Sequence, residues 1–296
     1  MTRPARDVPE PAMSPDPART VAFQGLPGAY SHLACREVYP DFVVLPCASF
    51  EDAFAAVADG RALYGMIPIE NSVAGRVADI HRLLPSSGLY IVGEHFQRVR
   101  HQLLATPGAT IGGLKRLYSH VQALSQCRTL TRELGLEPIN VADTAGAAKD
   151  VAMRASKEEA AVASALAGEI YGLEVLRSHI EDVIGNTTRF VFMARRPSEP
   201  DPAAGPCMTS FIFQVRNVPA ALYKAMGGFA TNGINMVKLE SYMTDNRFTA
   251  TQFYAEIEGH PAHKPVERAF DELHYFSTKV KVLGVYRQAP DRSDHH

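Results

Sequence analysis

Short apolar runs alternate with stretches of helical periodicity along the first two thirds of the chain. The runs predict strands at residues 20–23, 64–69, 116–118, 139–142, 160–163 and 190–193. Strands that alternate with helical patterns are typical of βαβ units. The pattern therefore predicts an α/β fold for this part of the chain.

A serine or threonine stands where several of these strands give way to a helical pattern. The four positions are Ser72, Ser119, Thr144 and Ser164. Each hydroxyl can accept from unpaired N–H groups of a first helical turn, so each is a candidate N-cap. Helix starts at the carboxyl edge of a parallel sheet favour anions, which makes an anion-binding cleft a reasonable expectation. For any single one of them, ordinary capping is the more common explanation, and it is the four together that favour a cleft.

The last third of the chain has a different order of elements. It predicts a strand at 209–215, a helix at 219–231, strands at 235–243 and 248–257 around a turn at 244–247, a helix at 265–275 and a strand at 279–286. Pro219 is a plausible first residue of its helix. The order βαββαβ is ferredoxin-like. Because the helices cover one face of such a sheet, we expect its edges or its other face to pair with a second copy.

Two proline-rich stretches divide the chain. Residues 1–19 contain five prolines among small polar residues, which predicts a disordered leader. Residues 197–206 contain four more and indicate a semi-rigid linker. The predicted units are therefore a leader at 1–19, a domain at 20–197, a linker at 198–207 and a second domain at 208–290.

The amino-acid composition excludes several classes of function. The 296 residues are 46% hydrophobic and 21% charged, with a formal net charge of −2. Such a chain buries a core, and it has no basic surplus for nucleic acid or an anionic membrane. No apolar stretch approaches the ~20 residues of a membrane span, and the first residues lack the apolar core of an export signal. We expect a cytoplasmic protein whose four widely spaced cysteines are reduced thiols.

The motif scan excludes several chemistries. Neither a phosphate-binding loop, nor a dinucleotide fingerprint, nor a nucleophile elbow occurs, and no ligand set for a metal is evident, so we expect no cofactor and no metal. Ser119 and His120 are sequence neighbours, a poor geometry for a nucleophile and its base. The remaining candidates are neutral and polar, and they are Asn71, Ser72, Ser119, Gln122, Gln126, Thr144, Asn186, Thr187 and Thr188. Arg189 beside them suits either a carboxylate ligand or an ordinary ion pair.

Six stretches of the chain resemble prephenate dehydratases with a C-terminal ACT regulatory domain. In family order they are residues 25–31, 68–75, 119–127, 143–148, 171–173 and 186–190. The resemblance implies conversion of prephenate to phenylpyruvate, water and carbon dioxide on the route to phenylalanine. It also implies a two-lobed catalytic domain like a periplasmic binding protein, with the active site between the lobes. We expect the chain to cross between lobes near residues 97–102 and 181–187.

The resemblance assigns roles to individual residues. Thr188 matches the critical threonine of the family and would donate to, or protonate, the leaving hydroxyl. Because a threonine is a poor titrating acid, we favour polarisation by a hydrogen bond. The expected substrate-binding residues are Asn71, Ser72, Ser119, Gln126, Thr187, Arg189 and Phe190. Arg189 is the candidate partner of a substrate carboxylate, or it braces the cleft.

The C-terminal segment resembles the ACT pattern at residues 217–222 and 234–243. The resemblance implies an L-phenylalanine site at an interface between ACT domains, with feedback inhibition and a homodimer or homotetramer. The implied effector-binding residues are Ala220, Ala221, Leu222, Asn235, Glu240 and Ser241. Ala220 replaces the usual glycine, and Tyr242-Met243 replaces Arg-Pro, so these residues have the alternative role of packing the dimer.

Two other functions compete with a prephenate dehydratase. Arogenate dehydratase performs the same chemistry on the amino-acid analogue, and no residue of the predicted cleft separates a keto group from an ammonium. A non-enzymatic amino-acid sensor fits the two-lobed fold. The intact Thr187-Thr188-Arg189 stretch and the missing export signal argue against a sensor.

Overall fold

The computed structural model describes residues 16–243 and 250–292. Most of the predicted leader and the predicted turn at 244–247 lie outside the described residues. The strands are β1 Thr20–Gln24, β2 Val43–Cys47, β3 Tyr64–Asn71, β4 Gly75–Arg76, β5 Tyr90–Arg98, β6 Gln102–Ala105, β7 Arg116–Ser119, β8 Glu137–Asn140, β9 Glu159–Ala163, β10 Glu174–Ser178, β11 Thr187–Ala194, β12 Cys207–Val215, β13 Met236–Met243, β14 Ala250–Glu258 and β15 Ser277–Arg287. The helices are α1 Tyr30–Val38, α2 Phe50–Ala58, α3 Ala78–Leu83, α4 Val121–Ser125, α5 Arg128–Glu133, α6 Thr144–Arg154, α7 Ala165–Tyr171, α8 Ala221–Thr231 and α9 Lys264–Phe276.

Two mixed sheets form the part of the chain predicted as α/β, which confirms that fold class. The first sheet, with its helices here called lobe 1, has the order β2-β1-β3-β11-β5, and β4 pairs with β3. The second sheet, lobe 2, has the order β10-β6-β9-β7-β8. Strand β11 lies antiparallel between β3 and β5. Lobe 1 is therefore completed by a strand that follows all of lobe 2 in the sequence.

The chain passes between the lobes twice. It leaves β5 and enters β6 through residues 99–101, within the first predicted crossing. It returns from β10 to β11 through residues 179–186, which overlaps the second prediction but begins two residues earlier. The two crossings bond to each other, from Val99 N to Asn186 O at 2.9 Å and from Ile180 N to His101 O at 3.0 Å.

The third sheet has the antiparallel order β13-β14-β12-β15, with α8 and α9 on one face. The predicted ferredoxin-like topology is confirmed. Of the two surfaces expected to pair with a second copy, the opposite face is covered, because Met208, Tyr254 and Tyr286 on it share one hydrophobic cluster with residues of lobe 1. The sheet edges, β13 and β15, remain as the other alternative. At Gly284 the backbones come so close that a Cβ would stand 2.0 Å from Ile91 O. We call this third part the ferredoxin-like unit.

Two local predictions need correction. Residues 16–19, placed by the sequence in a disordered leader, include the 3-10 helix Pro17–Arg19, capped by the Asp16 carboxylate. Helix α8 begins at Ala221 and not at Pro219, because Ala220 takes a left-handed conformation with φ 61°. No helix in the described part of the chain is long and apolar enough to cross a membrane.

Candidate active site

The central strand β11 presents different chemistry on its two faces. Thr188 is paired with Asn71 of β3 and with Gln97 of β5, whereas the next residue, Arg189, is paired with Glu70 and Phe96. Directly paired residues share a face of the sheet and lie about 5 Å apart. We call the Thr188 side the front face and the Arg189 side the back face.

On the front face, Asn71 holds the Thr188 hydroxyl as an acceptor. Asn71 Nδ2 donates to Thr188 Oγ1 at 2.9 Å. The orientation of this amide is fixed, because Asn71 Oδ1 accepts from the backbone N–H groups of Val73 at 3.0 Å and Ala74 at 2.8 Å. Within the described residues the Thr188 hydroxyl donates to no other group, so its proton is available to a ligand.

The same amide of Asn71 begins a hydrogen-bond chain that runs between the lobes. Asn71 Nδ2 also donates to Asn186 Oδ1 at 2.7 Å, and Asn186 Nδ2 donates to Gln126 Oε1 at 2.7 Å. His101 Nε2 lies 3.1 Å from Gln126 Oε1, and His101 Nδ1 lies 3.0 Å from the Tyr30 hydroxyl. Since Gln126 Oε1 can only accept, His101 carries its proton on Nε2. Both crossings and both lobes thus meet in one network.

The titratable members of this network are neutral near pH 7. Burial lowers the pKa of His101, although the hydrogen bond to Gln126 and the nearby Glu181 act in the opposite direction. Burial, with a smaller contribution from Glu181, raises the pKa of Tyr30 well above its usual value. The front face therefore offers neutral hydrogen-bond donors and acceptors.

Direct contacts hold the two lobes together beside this network. Ser164 Oγ donates to Gly28 O at 2.6 Å, and Tyr171 Oη donates to Pro27 O at 2.8 Å. Gly28 has φ +92°, and a Cβ there would lie 2.7 Å from the Cα of Ala167. The loop after β1 therefore requires a glycine in order to sit on the first turn of α7. Ser164 also accepts from Ala167 N, so its predicted role as an N-cap is confirmed.

A cavity of about 460 Å³ lies on the Thr188 side of β5, within the usual size range of ligand pockets. Gln97, the cross-strand neighbour of Thr188, is part of its wall. Helix α1 contributes Tyr30, and the first turn of α7 contributes Ser164. Arg98 and Arg100 supply positive charge at the same cavity. Glu37 belongs to the same wall, and Thr188 itself does not line this cavity.

Arg189 is not the free carboxylate-binding residue that the sequence suggested. It is 4% exposed, and its Nε donates to Glu94 at 2.9 Å. Its Nη1 donates to Glu70 at 2.9 Å and to Glu256 at 2.6 Å. Its Nη2 donates to Glu256 and to Tyr286 Oη, each at 3.1 Å. With every N–H engaged on the back face, Arg189 braces the structure, which was the alternative left open for it.

Burial of Glu256 would by itself raise its pKa, but Arg189, the hydrogen bond from Tyr254 and the charge of Lys238 outweigh this. Together they lower the pKa of Glu256 to about 2. Burial likewise opposes ionisation of Glu70, and Lys238 and Arg189 hold its pKa below the usual value. Both carboxylates are therefore charged at neutral pH, and both depend on buried cations.

Several other predicted residues have structural roles. Ser119 is buried and donates to Val162 O at 2.6 Å, while His120 caps α4. Thr144 is the first residue of α6, whose cap is Asp143. Ser72 caps no helix: it lies in the turn after β3, where its Oγ accepts from Thr187 N at 3.0 Å.

Two residues that flank Thr188 and Arg189 on β11 also differ from expectation. Thr187 shares the back face with Arg189, and its hydroxyl donates to Gly185 O at 3.1 Å. Phe190 is buried in the core beneath α1. Of the predicted substrate-binding set, the structure brings Asn71 and Gln126 into the Thr188 network. His101 was missed, although its place inside a predicted crossing was a usable signal.

The predicted effector residues do not form one cluster within the chain. Ala220, Ala221 and Leu222 line a cavity of about 270 Å³ at the start of α8. Asn235 lies beyond the opposite end of that helix and donates to Glu258 at 2.9 Å. Glu240 accepts from Arg76 of lobe 1 at 3.1 Å, and Ser241 is exposed.

Comparison with known proteins agrees with this architecture. The family model for prephenate dehydratase matches residues 21–198. The chain is 53% identical over 274 residues to a bifunctional N-acyl-homoserine lactone acylase/prephenate dehydratase of Komagataeibacter europaeus, covering 93% of this chain and 98% of that one. It is 39% identical over 280 residues to arogenate dehydratase 2 of Petunia hybrida, covering 90% of this chain and 71% of the relative. A solved prephenate dehydratase of Arthrobacter aurescens, in complex with L-Phe, has a TM-score of 0.83 at 28% identity and covers 93% of this chain and 97% of that one.

Proposed function

The chain belongs to the prephenate dehydratase family of hydro-lyases, and we propose that it converts prephenate to phenylpyruvate under feedback inhibition by L-phenylalanine. The observation that carries this proposal is the hydrogen bond from Asn71 to Thr188, which leaves the threonine proton free on the front face. We assign catalysis to residues 20–197 and regulation to an ACT domain at 208–290, joined by a linker at 198–207.

The chemistry needs what the front face provides. As the ring carboxylate of prephenate departs as carbon dioxide, its bonding electrons enter the ring and the ring C–O bond breaks. The released hydroxide takes up one proton to leave as water, so one proton is consumed per turnover. The Thr188 hydroxyl, oriented by Asn71, donates a hydrogen bond to the leaving oxygen and stabilises its developing charge. The titratable members of the network that orients Thr188, His101 and Tyr30, are themselves neutral, so they add no charge beside the leaving oxygen.

Direct assay tests the proposal. Purified full-length protein is given prephenate or arogenate at several concentrations, and the release of phenylpyruvate or phenylalanine is followed. We expect turnover of prephenate with the larger kcat/KM, suppressed by added L-phenylalanine. A preference for arogenate would move the assignment to arogenate dehydratase. Folded protein that turns over neither compound would contradict the proposal and favour the amino-acid sensor.

Ser119 and His120, which are adjacent in sequence, do not support the acylase activity named for the Komagataeibacter relative. Such hydrolysis needs an accessible nucleophile that is hydrogen-bonded to a base. Ser119 Oγ is buried and donates to Val162 O, while His120 Nδ1 accepts from Gln122 N at 3.3 Å. The two side chains therefore do not activate each other, and dehydration is the better-supported function.

The effector site would form between copies of the chain. Residues 220–222 and the residues of β13 lie apart within one chain, and β13 is an edge strand of its sheet. A homodimer or homotetramer in which ferredoxin-like units pair would bring the two parts together. Light scattering of the purified protein, with and without L-phenylalanine, tests this arrangement, and a monomer under both conditions would contradict it.

A further inference from the structure

The back face of β11 carries a buried cluster of three carboxylates and three cations. We call it the Arg189 cluster, and its members are Arg189, Lys238, Arg292, Glu70, Glu94 and Glu256. Arg292 binds Glu94 at 2.5 Å, and Lys238 binds Glu70. Because the formal charges balance, removal of any one leaves an uncompensated charge in a buried site.

The cluster is joined to the catalytic residues through the backbone. Arg189 directly follows Thr188, and Glu70 directly precedes Asn71. The ion pair from Arg189 to Glu70 on the back face thus stands behind the hydrogen bond from Asn71 to Thr188 on the front face. Immediately beyond this point the register of the two strands shifts, since Phe190 is paired with Pro68. A β-bulge beside an active site commonly aims a side chain, and here the Arg189–Glu70 pair fixes the strand where it bends.

Glu256, on β14, connects the ferredoxin-like unit to Arg189. Its carboxylate accepts two hydrogen bonds from Arg189 and further bonds from Ser210, at 3.2 Å, and from Tyr254. On the other face of the same strand, Phe253 lines the cavity at the start of α8. One strand, β14, therefore connects the predicted effector cavity to the residue that follows Thr188.

From this geometry we propose that Arg189 is a positioning residue for Thr188, and that Glu256 is the residue through which the ferredoxin-like unit controls that position. The proposal deepens the function proposed above and depends on it. A shift of β14 on effector binding displaces Glu256 from Arg189. The tightly hydrogen-bonded strand β11 then moves the Thr188 hydroxyl relative to Asn71. Misplacement of a catalytic group by about 1 Å can lower a rate 100-fold, so a small shift is sufficient.

The test compares Glu256→Gln and Glu256→Asp with the wild type in the full-length protein. Glutamine keeps the shape and an acceptor for Tyr254 but removes the charge, whereas aspartate keeps the charge. We measure kcat, KM and the inhibition ratio, defined as turnover without L-phenylalanine divided by turnover at saturating L-phenylalanine. This ratio does not depend on how much of the sample is folded, so a purely structural role would not change it.

We expect Glu256→Gln to lower kcat at least tenfold, with KM within about threefold of the wild type, and to bring the inhibition ratio close to one. Glu256→Asp should recover part of both. The matched control is Lys281→Met, which removes another contact between the ferredoxin-like unit and lobe 1, a hydrogen bond to Pro85 O at 3.1 Å, without touching the cluster. It should resemble the wild type.

A kcat and inhibition ratio of Glu256→Gln within twofold of the wild type would overturn the inference. Equal losses in Glu256→Gln, Glu256→Asp and Lys281→Met would also overturn it, because they would indicate a general interface effect. If Glu256→Gln does not fold, Tyr286→Phe removes the milder bond to Arg189, and an unchanged kcat and inhibition ratio there would refute the coupling. A folded wild type without turnover of prephenate or arogenate would refute the proposed function itself, which separates the two failures.

Discussion

The two faces of β11 differ in charge, and the difference separates chemistry from support. On the front face Thr188 belongs to a network of amides, a neutral imidazole and a phenol. On the back face Arg189 is 4% exposed and bonded to three carboxylates. Neutral donors suit a reaction in which the substrate loses a carboxylate charge, whereas buried ion pairs suit precise placement. Strand β11 thus places the charge of Arg189 one residue away from Thr188 and on the opposite face of the sheet.

Replacement of Thr188 by valine tests the front face and should have the largest effect. Thr188→Val removes the hydroxyl and nearly preserves the shape, so we expect kcat to fall about 100- to 10,000-fold with little change in KM. The control is Thr187→Val on the back face of the same strand. It loses one hydrogen bond to Gly185 O, and we expect this loss to lower kcat by about tenfold or less. Similar losses in both variants would contradict the division between the faces.

Acid titration tests the back face. Because the pKa of Glu256 is lowered to about 2, below its ordinary value near 4.5, its charge stabilises the folded state fully above pH 4.5. That contribution is lost as the pH falls from 4.5 towards 2. We expect Glu256→Gln to lower the free energy of unfolding by about 3 kcal/mol at pH 7, and by progressively less below pH 4.5.

Urea unfolding of the wild type and of Glu256→Gln at pH 7, 5, 4 and 3 measures this difference. The control is Glu158→Gln, which removes the exposed pair with Lys115 and should cost no more than about 1 kcal/mol at any of these pH values. A difference between the wild type and Glu256→Gln that stays constant from pH 7 to pH 3 would contradict the assigned origin.

Substitution of Gly28 tests the contact that closes the front face. Gly28→Ala places a methyl 2.7 Å from the Cα of Ala167, so we expect the lobes to separate and kcat/KM to fall about tenfold. Gly88→Ala has comparable backbone strain, with φ +69°, but no atom within 4 Å, so it controls for strain alone. Solution scattering measures the separation of the lobes, and steady-state kinetics measure kcat/KM. If Gly28→Ala and Gly88→Ala change both quantities equally, the lobe contact is not the cause.

The smallest expected effect concerns the start of α8, far from either face. Ala220 has φ 61°, a conformation that glycine adopts without strain. Relief of this strain stabilises the folded state, whereas the greater conformational freedom of glycine stabilises the unfolded chain. The net expectation is that Ala220→Gly raises the free energy of unfolding by about 0.5–1 kcal/mol. Removal of the methyl should also strengthen inhibition by L-phenylalanine. Thermal unfolding and an inhibition curve measure the two, and weaker inhibition would argue that the methyl contacts the effector.

Local sequence signals located most strands but misplaced three of the four predicted caps. At α6 the residue before Thr144 is Asp143, an equally good cap, and at α4 the imidazole of His120 takes this role. Ser72 stands in a turn between two paired strands, where helical spacing in the sequence was misleading. Which of two adjacent side chains caps a helix depends on the local backbone geometry, and the hydrophobic periodicity of the sequence does not report that geometry.

The function of Arg189 depends on partners that are distant in sequence. Its carboxylates lie at positions 70, 94 and 256, on three different strands. No spacing rule links those positions, and only the packing of the ferredoxin-like unit on lobe 1 brings them together. Asn71 and Thr188, in contrast, could each be named from the sequence, because each lies in a stretch that resembles the family; their hydrogen bond to each other was not predicted.

The late position of β11 has a consequence for synthesis of the chain. Lobe 1 lacks its central strand until the ribosome has made all of lobe 2, since β5 ends at Arg98 and β11 begins at Thr187. At about 5–20 residues per second, that interval lasts roughly 4–18 seconds. During it, β3 and β5 expose the edges that β11 will later cover, while lobe 2 is complete enough to fold. A slow-translating stretch or a bound chaperone would act most strongly on the nascent chain in this window.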